Sequence, residues 1–320
     1  MRNFVIDTDT ASDDAVAILM ALAAPDLNVL GLTTVAGNVG VEQATRNALY
    51  TAEVAGASVP VFAGAAAPLN RPHLDAHWFH GHDGFGDQNY PTPKQPPEAE
   101  FAVDALVRIA RKNPGLTLVT LGPLTNIALA LARDPGFAQN VGRCVVMGGA
   151  PCCEGNATPA AEYNIWVDPE AARRVFRSGL PIEMVGWHVS RGPSVLTNAE
   201  CAEIYALGGA TARFAIDCNR RAREAYFVQT GEVGLSLADP TAMAIALDRQ
   251  IGLSWSRHFV EIECASELTR GMTIVDRLNV AHDENNAIAW RDALAGGHKA
   301  DVCWTFDAAG YKAMLRRSLA

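Results

Sequence analysis

A chain of 320 residues and 34.1 kDa, 49% hydrophobic and 19% charged, can hold one large α/β domain or two ordinary ones and is too apolar to be disordered. Its 26 Lys and Arg against 35 Asp and Glu give a formal charge of −9, and no basic run offers the electrostatic footprint of a nucleic-acid partner. Seven Cys, an odd number that includes adjacent Cys152 and Cys153, form neither a disulfide framework nor paired CxxC zinc spacing.

The opening residues, Met1-Arg2-Asn3-Phe4-Val5-Ile6, run straight into Asp7 with no apolar stretch long enough for a signal peptide or a membrane span. The expectation is a cytoplasmic enzyme with no membrane partner. In chain order, a strand over Asn3–Asp7 precedes a helix over Asp13–Ala24, and a strand over Leu27–Val35 precedes a helix over Val41–Ala55. Gly64–Pro97, rich in Pro, Gly and His, breaks this rhythm. It resumes with a strand over Thr117–Leu121, a helix opening at Pro123, and a strand over Cys144–Met147. A second break, Gly149–Val167, precedes a helix over Pro169–Ser178 and a strand over Ile182–Val185. The pattern is helical from Thr197 to about Gln229, strand-like over His258–Glu263 and Thr273–Val275, and closes on an amphipathic helix over Asp307–Leu319. These elements predict an α/β fold, one domain over residues 1–320, with a mostly parallel Rossmann-like sheet flanked by helices. The two breaks read as loops of a site at the C-terminal ends of the strands.

Asp7, Asp9, Asp13 and Asp14 put four carboxylates within eight residues at the end of the first strand. Ser12 can cap the following helix, with Asp13 and Asp14 in its first turn where the helix dipole favours negative charge. That accounts for Asp13 but not for Asp7 and Asp9. Carboxylates packed this closely repel unless a hard cation or shared protons offset them, so the cluster is either a site for Ca²⁺ or Mg²⁺ or a solvated acidic loop. Polar Asn38, Asn156, Glu162, Asn164 and Asp239 fall in loops at the ends of predicted strands or helices, a supply of donors and acceptors for a polyhydroxylated ligand. Taken singly, Asn38 reads better as a turn residue, and Asp239 better as an N-cap before Pro240.

Asp7-x-Asp9 resembles the opening motif of the haloacid dehalogenase superfamily, which implies a Mg²⁺-dependent phosphohydrolase with Asp7 as nucleophile; Ala11, however, stands where that family usually has Thr or Val. Asp7, Asp9, Asp13, Asp14 and Ala15 together resemble the signature of the inosine-uridine preferring nucleoside hydrolase family. Its further motifs follow in family order: Val35-Ala36-Gly37-Asn38, Leu121-Gly122-Pro123-Leu124-Thr125-Asn126, Met147-Gly148-Gly149, Gly155-Asn156, Ala161-Glu162-Tyr163-Asn164-Ile165, Asp168-Pro169-Glu170, Ala238-Asp239-Pro240 and Thr269-Arg270-Gly271. The resemblance implies hydrolysis of the N-glycosidic bond of a ribonucleoside to ribose and free base. It implies Ca²⁺ on Asp9, Asp14, the backbone carbonyl of Leu121 and Asp239, and Asp9 as the base that takes a proton from the attacking water. Asn38, Asn156, Glu162 and Asn164, with Asp14 and Asp239, would grip the ribose hydroxyls. Asp7 and Asp13 would support them. A homodimer or homotetramer is the assembly the resemblance implies.

The chain departs from that pattern at Ala238, where many relatives carry the His that protonates the departing base and some carry Trp. A ribose- or nucleoside-binding protein with little turnover is therefore a further alternative. Tyr226 and, in the segment His77–Gly86, Trp78, His80 and His82 are the substitutes the sequence offers for leaving-group or base contacts. Three His within six residues of a Gly-rich loop without Cys are a poor zinc pattern. His188 stands where the family often has Asp.

Overall fold

The computed structural model describes residues 1–320. Ten strands form: β1 (Arg2–Thr8), β2 (Leu27–Thr34), β3 (Val61–Ala63), β4 (Leu116–Thr120), β5 (Val141–Met147), β6 (Ile182–Val185), β7 (Gly252–His258), β8 (Val260–Ile262), β9 (Thr273–Val275) and β10 (Ala300–Phe306). Eight build one sheet in the order β3-β2-β1-β4-β5-β6-β10-β7, parallel except where β7 runs antiparallel to β10; β8 and β9 form a separate hairpin-like pair. Because the sheet draws on both ends of the chain, the domain is continuous across it.

Helices cover both faces of the sheet, so its strands carry apolar side chains on alternate sides. In β1, Phe4 and Ile6 pack with Val16 and Met20 of the helix Ser12–Ala23 and with Met243 and Ile245 of the helix Ala238–Leu247. Val5 points the other way, with Leu106, Leu118 and Ile127, into the layer made by the helices Ala102–Lys112 and Thr125–Arg133. β5 repeats this: Val145 and Met147 join the first layer, Cys144 and Val146 the second.

Successive connections from β1 lead out through β2 to β3, whereas those from β4 lead the opposite way through β5 to β6. The crevice beyond the carboxyl ends of β1 and β4 is therefore the topological switch point, where open α/β sheets bind ligands. β1 and β4 lie in register with Asp7 beside Thr120, which brings the residues after Asp7 next to Leu121.

The expected strands and helices along residues 1–185 all form, with ends shifted by a few residues. The sequence reading leaves out β3, β7, β10 and the helix Ala102–Lys112. It also merges the end of β7 with β8 as a single strand over His258–Glu263. β7 is an edge strand whose Leu253 faces solvent and whose Ser254, Ser256 and Arg257 give no apolar alternation. The helical span after Thr197 is three helices, Asn198–Ala206, Ala210–Asp217 and Arg220–Thr230. No helix is long and apolar enough to cross a membrane.

Candidate active site

The turn after β1 buries its carboxylates at the switch point. Asp7, Asp9, Asp14 and Asp239 are each at most 3% exposed, although Asp239 arrives from the helix Ala238–Leu247, more than two hundred residues away. One carboxylate oxygen each of Asp13, Asp14 and Asp239 lies within 4.8 Å of the others. Asp14 accepts the Thr8 hydroxyl at 2.5 Å and the Ala11 backbone N–H at 2.9 Å, so Asp14 rather than Ser12 satisfies the start of the helix. Ser12 instead spends its hydroxyl on Nδ1 of His80, 2.8 Å away.

Asp9 is enclosed by backbone. Its Oδ2 accepts the Asn38 N–H at 2.6 Å, while its Oδ1 has no partner at all. A Cβ at Gly37 would overlap the Asp9 carboxylate, and one at Gly122 would come within 2.7 Å of Oδ1. The glycines of Val35-Ala36-Gly37-Asn38 and Leu121-Gly122-Pro123 are what let two strand ends close on this side chain.

Burial pushes Asp9, Asp14 and Asp239 upward in pKa. Asp14 rises to about 7 through loss of solvent and the neighbouring Asp13 charge. Asp9 and Asp239 are raised well above the ordinary carboxylate range by burial, each further raised by Asp14. Such a cluster is under-compensated in its own protein: buried like charges, with Asp9 Oδ1 and Asp13 Oδ1 unpartnered. A hard divalent cation is the partner that oxygen-only set fits. The Leu121 carbonyl accepts one hydrogen bond, from Asn164 Nδ2 at 2.7 Å, and keeps a second lone pair.

Asp7 stands apart. Its Oδ1 accepts from Thr33 at 2.5 Å and Asn126 at 2.8 Å, and it is absent from the walls of the cleft described next. With Oδ1 committed to these two structural bonds, nothing in the site favours the phosphohydrolase reading with Asp7 as nucleophile. Asp7 ties β1 to β2 and to the helix Thr125–Arg133.

Beside the acidic cluster opens a cleft of about 220 Å³ that Asp13, Leu121 and Asp239 help to line, while the buried Asp9 and Asp14 are not exposed in its wall. Asn38, Asn156, Glu162 and Asn164 all line it. Glu162 caps the helix Tyr163–Val167, accepting the backbone N–H of Asn164 at 2.9 Å and of Gly149 at 2.7 Å. Asn164 commits Nδ2 to the Leu121 and Met147 carbonyls, which leaves Oδ1 to offer the cleft. Asn156 accepts the Tyr163 N–H on Oδ1 at 2.8 Å, which leaves Nδ2 as a donor.

The cleft lining is also aromatic. Trp78, Phe79, Trp166 and Trp187 line it with Asp75, His80, Gln229, Ser236 and Ala238. Of the leaving-group substitutes, His80 and Trp78 are in this wall. His80 is buried and its pKa is lowered by loss of solvent, against an opposing pull from Asp13, so it is a neutral imidazole at pH 7. His82 and Tyr226 are elsewhere. His82 lines a separate cleft with Asp83 and Tyr90. Tyr226 is fully buried against Trp187 and Val195, and its hydroxyl donates to Glu232, which leaves no proton aimed at the cleft. Burial and the Glu232 charge push its pKa up to about 12. His188 bonds the Cys303 carbonyl at 2.9 Å, outside the cleft.

Sequence reasoning missed Asp75, Trp166, Trp187, Gln229 and Ser236 as cleft residues. Gln229 lies one helical turn beyond Tyr226 and crosses the cleft to donate to the Asn156 carbonyl at 2.7 Å. The helix was legible; which of its faces meets the cleft was not.

Comparison with known proteins gives the same answer as the site. Uridine nucleosidase 1 of Arabidopsis thaliana is 36% identical, over 99% of this chain and 93% of its own length. A plant nucleoside hydrolase structure superposes with a TM-score of 0.91 at 31% identity, covering 99% of this chain and 98% of that one. A purine-preferring ribonucleoside hydrolase from Gardnerella vaginalis follows with a TM-score of 0.88 at 29% identity, covering 99% and 98%. The family model described as inosine-uridine preferring nucleoside hydrolase matches residues 4–313, and with its acidic cluster at the switch point and its polar and aromatic cleft, the chain belongs to that family of ribonucleoside hydrolases.

Proposed function

We propose that this enzyme hydrolyses ribonucleosides to ribose and free base with Ca²⁺ on Asp9, Asp14, the Leu121 carbonyl and Asp239, and with Asp9 as the general base. The carrying observation is the buried carboxylate cluster, with Asp9 Oδ1 unpartnered, beside a cleft lined by Asp13, Asp239 and both polar and aromatic side chains. When bound, the cation polarises a water and favours a vicinal diol as its ligand. Asn38, Asn156, Glu162 and Asn164 orient the ribose hydroxyls; Asp9 Oδ1 takes the proton of the attacking water; the surrounding carboxylates stabilise positive charge developing at C1′. Asp13 supports the cluster from the cleft wall.

Binding at the ribose end is used at the reacting centre. A 2′-deoxyribonucleoside is expected to lose about 10³-fold or more in kcat/KM against its ribonucleoside, because it leaves buried polar groups of the site unpaired. Comparable kcat/KM on the two substrates would remove the ribose assignment. Uridine is the first substrate to try, on the strength of the uridine nucleosidase relative.

His80 takes the leaving-group role that Ala238 cannot. Its position in the cleft wall and its hydrogen bond to Ser12 support it as an N–H donor to the departing base, and its lowered pKa makes it a hydrogen-bond donor rather than a cationic acid. His80→Ala is expected to slow uridine about a hundredfold and p-nitrophenyl riboside by less than tenfold, because the activated leaving group needs no proton. Equal losses on both substrates would take the role away from His80. The cleft-wall aromatics supply stacking surface for the base.

A further inference from the structure

Tyr163 lies in a motif with a position for each neighbour but none for itself. Glu162 and Asn164 on either side line the cleft, and Tyr163 lines it too. Its hydroxyl stands 2.8 Å from the Gly37 carbonyl and 2.8 Å from the Leu74 carbonyl. A phenol has one proton, and a carbonyl can only accept. The second donor is His73, whose Nε2 lies 2.6 Å from the same Gly37 carbonyl and must therefore carry its proton. Two donors thus serve two carbonyls, with nothing left unpaired.

Those carbonyls belong to the two segments that close the site. The C=O of Gly37 and the N–H of Asn38 are one peptide group, and that N–H is the donor to Asp9 Oδ2 at 2.6 Å. The Leu74 carbonyl precedes Asp75 and Ala76 in the cleft wall, and Ala76 donates its own N–H back to the Asn38 carbonyl at 2.9 Å. Burial and the nearby Asp9, Asp75 and Glu162 charges hold the phenol well above its ordinary pKa, so it remains a donor.

We infer that Tyr163 is a positioning residue, a clasp that with His73 fixes the Gly37–Asn38 peptide against Asp9 and ties the loop of Leu74 to it before substrate arrives. The inference rests on the assignment of Asp9 and Asn38 above for its kinetic consequence, but not for its structural one. A donor to a peptide carbonyl polarises that peptide and strengthens the bond its N–H makes on the other side. Losing the phenol proton frees the Leu74 carbonyl and, with it, the loop whose Ala76 N–H pins the Asn38 carbonyl, so both segments are left to be ordered by the substrate and that cost appears in binding.

The test is Tyr163→Phe in the full-length enzyme with its cation and no nucleoside added, measured by amide hydrogen exchange at Asn38 and Ala76 and then by steady-state kinetics. The expected result is exchange about tenfold faster at both amides, with KM rising by more than kcat falls and an unchanged melting temperature. His73→Ala, measured beside it, is expected to quicken Asn38 in the same direction. Unchanged exchange at Asn38 and Ala76 in Tyr163→Phe, or a loss confined to kcat, overturns the clasp. Should Tyr163→Phe fail to fold, unchanged Asn38 exchange in His73→Ala overturns it instead. An Asp9→Asn enzyme that still turns over would sink the base assignment and leave the exchange result standing, so the two failures are distinguishable.

Discussion

An Asp9→Asn enzyme is expected to lose about three orders of magnitude in kcat on any ribonucleoside, the usual weight of a positioned general base, while folding at least as stably as its parent when no cation is present. The two halves of that expectation have one cause. The Asp9 carboxylate is fully buried, raised in pKa by loss of solvent and by the Asp14 and Asp13 charges, and Oδ1 is unpartnered. Asparagine keeps an oxygen to accept the Asn38 N–H and removes the charge. The strain the cluster places on the fold is therefore relieved as its chemistry is lost, a trade expected where a site is built for function. Thermal melts of the cation-free proteins check stability, and ribose release checks kcat; near-normal turnover would contradict the role of Asp9.

Removal of divalent cations is expected to stop turnover and to lower Tm at pH 7.5 by about 5 °C relative to protein saturated at a hundredfold its Kd. The same treatment at pH 5.5 should cost less. Burial pushes Asp7 and Asp14 up to about 7 in the folded chain from an ordinary 3.8, so between those values the folded state holds more protons than the unfolded one. Stability of the cation-free enzyme therefore falls as pH rises through that window. His80 opposes this, because burial lowers its folded pKa below 6.5 and its contribution to stability rises with pH there. One imidazole stands against at least two carboxylates, so the net slope is downward. Melts at pH 5.5 and 7.5 with and without Ca²⁺ measure it. A cation-free enzyme that is more stable at pH 7.5 than at 5.5 would contradict this charge balance.

The half of the molecule that positions the acidic cluster was legible because its signals are local. β1, β2, β4 and β5 are short apolar runs that end in glycine or acidic turns, and their buried faces leave little choice of period. The edge of the sheet was not legible: β3 has three residues, and β7 offers Ser and Arg where a core strand offers Val. The polar lining of the cleft followed from motif order, since Asn38, Asn156, Glu162 and Asn164 line it. The rest of the lining depends on which residues of the helix Arg220–Thr230 reach the cleft. Tyr226 and Gln229 are three residues apart on that helix, yet the first packs under Trp187 and the second reaches the cleft. His80 and His82 show the same limit within one loop, since two residues of separation send one into the acidic cluster's cleft and the other into a different one. Long-range packing decided these cases, and a single sequence does not display it.

The most direct test of the central claim is release of ribose and free base, measured together, from uridine and inosine by the purified enzyme before chelation, after chelation and after Ca²⁺ is returned. The account predicts equimolar ribose and base from at least one of the two, loss of both products on chelation, and recovery with Ca²⁺. Turnover that persists undiminished in the chelated enzyme, or base binding with no ribose released at saturating Ca²⁺, would contradict it.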